Sequence, residues 1–543
     1  MKTILLKQNG YPWFCSGAVH FKGYFQIREK GVSVCRGEEA ARYFEDVTSL
    51  EQFTEKLETI DGVYAVVIEN QTQTFACVDR SRSMPLYFDT EGRFLSDSAE
   101  EIRLQLGLDK EEVDKHNYLT LLSADYLFGN ETVYSAIKQL DLGEAIAIDE
   151  TGISFRRYFY HFSEVVDRSE EEIKARLTTV ATNAFLRLKE VIAGRPVVLS
   201  MSGGYDSRFV GCMLKKVGIT DVSCYTYGKI DSFEVKQSQK NAQALGFRWT
   251  CVEHTDEEVT KMLDETGQSY LNSYTGHDYT AYYQNFPAVR KLHEENWFKP
   301  NSVFITGLCG DMPTGNYVLP YNADMEYSPE TAAEHLYNNI FTRLDMGVKF
   351  KSEWLKKTVD KLSQLPITIK DYSSWTSAVE CIYTGTCHSH WFMHMNTVHA
   401  FFGYEWLLPF WDSELLTEWY RIPAEKRLEQ RLYEDWLLNE LCAPWGIGQK
   451  KYRATYSKNR SVRRVKYFVG QILARVFLNL GITFKRRYDY NNFAPLELLL
   501  FKNLPCKKTV IYRKAGMPLL LNQYLLQRRY GVNNMKLALK KWK

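Results

Sequence analysis

The stretch Ser202-Gly203-Gly204-Tyr205-Asp206-Ser207 holds the residue types that a phosphate site uses. Paired glycines let the backbone turn tightly and approach a ligand closely. Ser202 and Ser207 add hydroxyl donors. Asp206 would repel a bare phosphate, and it becomes useful when a divalent cation lies between carboxylate and phosphate. The pattern points to a magnesium-bound nucleotide cut at its pyrophosphate. A Walker P-loop is excluded, because no lysine follows the last glycine. A second glycine-rich run, Thr306-Gly307-Leu308-Cys309-Gly310-Asp311-Met312-Pro313-Thr314-Gly315, carries one more aspartate. Two carboxylates from separate loops, Asp206 and Asp311, are what a magnesium-phosphate site requires. The plainer readings are a tight strand-to-helix turn and, for Asp311, an ordinary turn residue.

Both runs follow apolar segments. Residues 197–200 read as a buried strand and 208–216 as a helix with an apolar face. A strand, a tight turn and a helix N-terminus bring unpaired N–H groups and the helix dipole to one spot. Residues 302–305 predict the strand before the second loop. A helical pattern over 169–192, a strand at 222–228, a helix at 231–247 ended by Gly246, and a strand at 250–253 complete a β-α-β alternation. That alternation predicts a doubly wound parallel sheet with ligands at the carboxyl ends of its strands. The first 160 residues read as mostly β, with a hairpin over 62–69 and 74–78 and further strand-like pieces at 79–88 and 94–98.

A chain of 543 residues has room for two or three domains. Its net charge of +2 gives no case for nucleic acid. The N-terminal apolar run is too short for a signal peptide, and no run reaches membrane-spanning length. The 11 scattered cysteines, with no C-x-x-C pair, fit reduced thiols in a cytoplasm. His388, His390 and His394 sit among Trp391, Phe392 and Met393, which reads as a packed helix with partly buried imidazoles rather than a zinc site. Residues 441–488 hold many Lys and Arg and no acid; a solvated face with a core stripe is expected there, ahead of membrane contact.

The first loop resembles the pyrophosphate loop of the N-type ATP pyrophosphatases, the group that includes asparagine, GMP and argininosuccinate synthetases. The second resembles the V-x-L-S-G-E-G-S-D-E-x-x-G-G loop of asparagine synthetases: Gly307, Asp311 and Gly315 match, while Leu308 and Met312 stand where that family carries glutamates. Residues 403–416 resemble its E-x-R-x-P-F-L-D-x-x-L-V stretch through Glu405, Pro409, Phe410 and Asp412, with Leu407 in place of the arginine. The family also has an acid near Glu234, though a solvent-facing helix-start glutamate would look the same. Within 1–160 the pieces at 62–98 and 132–144 resemble the glutaminase domain of asparagine synthetases.

The resemblance implies an Ntn-hydrolase-like α+β sandwich over 1–160, an asparagine synthetase-type ATP pyrophosphatase domain (an α/β fold of the adenine nucleotide alpha hydrolase kind) over 165–455, and a basic helical extension over 456–543. It implies ATP and magnesium, a small-molecule carboxylate, and ammonia or an amine, with a homodimer as the candidate assembly. Leu199, Ser202, Gly203, Gly204, Asp206, Ser207, Thr306 and Gly307 would line the nucleotide site, Asp206 and Asp311 would hold the metal, and Lys450 (or Lys451) and Glu405 would act on the reacting groups. The family's glutaminase uses an N-terminal cysteine exposed by removal of Met1; here Lys2 stands there, so the first domain is expected to lack glutaminase activity. Three functions stay open: a ligase using free ammonia, a ligase joining another acid and amine, and a non-catalytic partner on the same fold.

Overall fold

The computed structural model describes residues 1–28, 33–162, 164–341, 346–448, 473, 476–482, 489–507 and 516–533. Through residue 157 the described chain forms two sheets. Strands β1 (Lys2–Ile4), β7 (Tyr87–Asp89), β8 (Phe94–Ser96) and β9 (Ile137–Gln139) make one, in the order β1-β8-β7-β9. The other runs β11-β10-β6-β5-β3-β2, with β4 (Val34–Arg36) on β3. Its members are β2 (Trp13–Ser16), β3 (Val19–Ile27), β5 (Ile60–Glu69), β6 (Thr74–Val78), β10 (Glu144–Asp149) and β11 (Gly152–Arg157). The sequence hairpin is present, extended by Ile60 and Asp61.

Alternation along the strands decides the layers. Val63, Ala65 and Val67 of β5 bury one face against Phe88 and Leu95 of the smaller sheet. Tyr64, Val66 and Ile68 bury the other beneath helices α1 (Gly37–Arg42) and α2 (Leu50–Glu58). Helices α3 (Ala99–Leu106) and α4 (Lys115–Ala124) pack with Tyr87 on the far side of the smaller sheet. Each fully buried aliphatic side chain there contributes about 1.5–3 kcal/mol. Helix, sheet, sheet, helix is the layering of the Ntn-hydrolase sandwich, as expected.

From residue 170 the chain changes class. Helix α5 (Glu170–Ile192), opened by a Ser169–Glu172 capping box, leads to five parallel strands. These are β12 (Val197–Ser200), β13 (Val222–Gly228), β14 (Arg248–Glu253), β15 (Val303–Ile305) and β16 (Glu405–Leu407), in the order β14-β13-β12-β15-β16. Helix α6 (Tyr205–Lys216) connects β12 to β13, and α7 (Phe233–Leu245), ended by Gly246 at φ 70°, connects β13 to β14. The strand order reverses between β12 and β15, and a doubly wound sheet opens its ligand crevice at such a reversal.

The two halves interlock through buried polar contacts. Arg82, fully buried, pairs with Asp278 at 2.8 Å, and Tyr87 donates to the same carboxylate at 3.0 Å. The C-terminal helix Gly516–Tyr530 docks on α4, where Asn522 Nδ2 donates to the carbonyl of Leu121 at 2.8 Å. Most of the basic stretch 441–488 lies outside the described residues. Among the described residues, no helix is long and apolar enough to cross a membrane.

Candidate functional site

The two glycine-rich loops leave the carboxyl ends of β12 and β15, the two strands that flank the reversal. Gly204 caps α6 in an extended conformation with no side-chain cap hydrogen bond, so the N-terminus of a 12-residue helix and its dipole point into the crevice. Ser202 and Ser207 tie the turn: their hydroxyls lie 3.0 Å apart, the Ser202 N–H donates to Ser207 Oγ at 3.0 Å, and the Gly204 N–H donates to Ser202 Oγ at 3.0 Å.

The second loop lies directly on this turn. A Cβ added to Gly307 would sit 2.9 Å from the Ser207 nitrogen, and one on Gly310 would sit 2.6 Å from the Asp206 carboxyl carbon. Only glycine allows that approach. Cys309 adopts φ 70°, a left-handed backbone that carries strain for a side-chain-bearing residue. Gly310 lies against the Asp206 carboxyl group and Asp311 is the next residue, which brings the two acidic positions to the same end of the crevice. Thr306 is buried, and its hydroxyl has no hydrogen-bond partner among the described residues. The buried Thr306 hydroxyl at the mouth of this crevice, two carboxylates and a helix N-terminus together fit a metal-bound polyphosphate. Among the described residues no group of three or more His, Cys, Asp or Glu could hold an ion by itself, so the phosphate oxygens would have to complete the coordination.

Residues from a third segment brace both loops, and no sequence motif pointed to them. The Tyr433 phenol donates to Asp206 Oδ1 at 3.0 Å; burial first, then Asp206, pushes that phenol far above its ordinary range. Arg427 forms a buried fork with Glu380 at 2.7 and 2.8 Å and donates to the Pro313 carbonyl at 3.0 Å. Gln430 donates to Thr314 Oγ1 at 2.7 Å, and that hydroxyl donates to the Gly310 carbonyl at 2.7 Å. Glu429 and Gln430 both have positive φ, 54° and 60°, so strain marks this brace as well. Glu234 joins the site: its Oε2 accepts the Gly203 N–H at 2.9 Å, which separates it from a solvent-facing helix-start residue.

Two residues expected at the site have their side chains engaged elsewhere. Glu405 is the first residue of β16, in register with Val303 and, through it, with Val197, at the amino ends of the strands. The loops are at the other end. Its carboxylate pairs with Arg195 at 2.7 Å and Arg36 at 3.0 Å, a clamp between the halves rather than a group facing substrate. Leu199 is fully buried, with its side chain in the core against the middle of α6. Lys450 and Lys451 lie outside the described residues. The histidine run is packed as expected: His394 stacks on Tyr279 with centroids 3.3 Å apart, and His390 faces Asp141 at 3.3 Å, although the backbone there is π- and 3₁₀-helical.

Residues 188–450 match the family model for asparagine synthase. The match spans both glycine-rich loops, Glu234 and the 427–433 brace, and that family's coarse activity is ATP-dependent amidation. Among solved structures, the chain is similar to the NH3-dependent NAD synthetase of Campylobacter jejuni, crystallised with nitrate, at 18% identity over 37% of this chain and 90% of that one, with a TM-score of 0.17. It is also similar to the glutamine phosphoribosylpyrophosphate amidotransferase of B. subtilis, complexed with ADP and GMP, at 11% identity over 55% of this chain and 63% of that one, with a TM-score of 0.18. At these scores neither likeness carries weight beside the geometry. No curated protein matches the chain.

Proposed function

We propose that the chain is an AMP-forming carbon–nitrogen ligase that activates a carboxylate as its adenylate and passes the acyl group to ammonia or an amine. The observation that carries this reading is the convergence of Asp206 and Asp311 at the uncapped N-terminus of α6. The N–H groups of that helix and the Ser202 and Ser207 hydroxyls would grip the phosphates. Asp206 and Asp311 would hold magnesium, which supplies positive charge to the departing pyrophosphate. Thr306, at the end of β15, would offer its hydroxyl to the nucleotide. Gly307 would keep the floor of the crevice free of side chains.

Nitrogen would enter as free ammonia or as the amine of a second substrate. Residues 1–160 then act as a retained scaffold, 165–455 as the catalytic unit, and 456–543 as a basic C-terminal extension. A cytoplasmic setting goes with this chemistry. A binding protein on the same fold is the second reading. It is favoured by Leu308 and Met312 in place of acids, since Met312 is buried in an apolar cluster and contributes no charge. Calorimetric titration with magnesium-ATP, run beside ATP–pyrophosphate exchange over a panel of carboxylic acids, separates the two. Exchange with any acid supports the ligase; tight binding with no exchange across the panel supports the binding protein.

A further inference from the structure

The antiparallel pair β2–β3 carries a second chemical constellation, distant in sequence from the two glycine-rich loops. Cys15 and His20 face each other across the ladder. The Cys15 sulfur lies 3.1 Å from His20 Nδ1, and His20 Nε2 lies 2.8 Å from Glu69 Oε2. A carboxylate only accepts hydrogen bonds, so Nε2 carries the ring proton and Nδ1 presents its lone pair to the thiol. Nucleophile, base and orienting carboxylate therefore stand in the order that activates a cysteine. Cys15 is exposed on an edge strand, open to reagents, whereas most of the other cysteines are buried. Trp13 and Lys22 form the next pair along the same face and line a cavity between the two halves of the chain. An aromatic surface and a cation thus adjoin the thiol.

We propose that Cys15 is an activated surface thiol that His20 and Glu69 prepare for exchange with small disulfides, making it a site of reversible S-thiolation. The Cys15 proton passes to His20 Nδ1, and Glu69 holds the resulting imidazolium through Nε2–H. The thiolate attacks one sulfur of a disulfide RSSR. The S–S bond breaks, a Cys15–S–S–R bond forms, and the leaving RS⁻ takes the proton from His20 to depart as RSH. The disulfide is the oxidant, and Cys15 is oxidised to the mixed disulfide. Nothing in this step uses the nucleotide site, so it stands or falls apart from the ligase reading.

The test treats reduced full-length protein with dithiodipyridine and, separately, with oxidised glutathione, and maps adducts by peptide mass. The expected result is that the fastest-reacting thiol is Cys15 with both reagents. Its rate should fall about tenfold in His20→Asn and about threefold in Glu69→Gln, because exchange follows the thiolate fraction. The ultraviolet absorbance of the thiolate should be present at neutral pH, vanish in Cys15→Ser, and fade in both other variants while circular dichroism holds steady. A histidine that merely packs would leave this band unmoved. Should His20→Asn disturb the hairpin, Glu69→Gln at the surface carries the same comparison. An adduct that forms first on another cysteine, or a rate and absorbance unchanged in the folded variants, overturns the proposal.

Discussion

The Tyr433 phenol donates a hydrogen bond to Oδ1 of Asp206 at 3.0 Å, joining the brace to the helix that follows the phosphate loop. The bond aims one oxygen of the carboxylate. Replacing Asp206 with Ala should abolish ATP–pyrophosphate exchange while the fold survives, because the carboxylate supports no core packing. Tyr433→Phe should retain the metal ligand but lose its aim, lowering exchange about tenfold and stability by about 1–2 kcal/mol. Exchange at wild-type rates in Asp206→Ala would remove the central site assignment.

The Arg427–Glu380 fork is buried on both sides and holds the second loop through the Pro313 carbonyl. Breaking one side of a buried pair leaves an uncompensated charge and costs about 3–5 kcal/mol. Glu380→Gln should therefore lower the urea midpoint markedly, and exchange should drop even under conditions where the variant remains folded. A variant that loses stability yet exchanges normally would show that the fork supports the fold without shaping the loop.

What the sequence made legible was whatever is encoded locally. Strand, turn and helix around Ser202–Ser207 occupy consecutive residues, so hydrophobic run, glycines and helical period announce them together. Asp311 was legible for the same reason. Tyr433, Gln430 and Arg427 were not, because they meet the loops only after the chain has crossed more than a hundred residues, and a tyrosine or glutamine in a helical stretch looks like any other. Glu405 shows the opposite failure. Its motif fixes the order of residues along the chain, but whether a strand residue faces the site depends on which end of the sheet it occupies, and only strand register reveals that.

Acid should unfold this protein through its buried imidazoles. His388 and His399 are buried without hydrogen-bond partners at either ring nitrogen, and burial pulls both down to about 3. The folded value lies below the unfolded one of about 6.5, so the unfolded chain takes up protons first as pH falls. Stability from these groups is complete above about pH 6.5 and is lost progressively as pH drops toward 3. Near pH 4.5 each imidazole should have cost on the order of 3 kcal/mol. His399 stacks on Phe304 with centroids 4.3 Å apart, so His399→Phe keeps an aromatic partner and removes the titration. Urea midpoints at about pH 7 and pH 4.5 should converge in that variant relative to wild type; an unchanged gap would assign the acid sensitivity elsewhere.

Glutamine should not serve as nitrogen donor. Lys2 begins an edge strand paired with Phe94, and its ammonium donates to Gln105 at 3.2 Å. An alkylammonium has no thiol chemistry to offer. Purified protein incubated with glutamine should release no glutamate above background, with and without ATP and an acid substrate. Sustained release that survives Cys15→Ala would mean that another nucleophile has taken over.

The acceptor side departs from asparagine synthesis at Leu308. The family resemblance puts a glutamate there, positioned to act on the activated acid and the attacking ammonia. Leu308 directly follows Gly307, which packs on the backbone of Asp206. Leucine brings neither charge nor hydrogen bond. An ammonium ion loses a partner, and the polar aspartyl group meets an apolar wall, at about 1–3 kcal/mol for each buried group left unpaired. That corresponds to roughly tenfold to a hundredfold in specificity. Aspartate with ammonia should therefore be a poor pair, and a larger or more apolar acid or amine should be preferred. Product formation with ATP, magnesium, aspartate and saturating ammonia decides the matter. Asparagine made at about one turnover per second or faster, a rate ordinary for enzymes, would show that the apolar wall does not select against it; Leu308→Glu should otherwise raise that activity about tenfold or more.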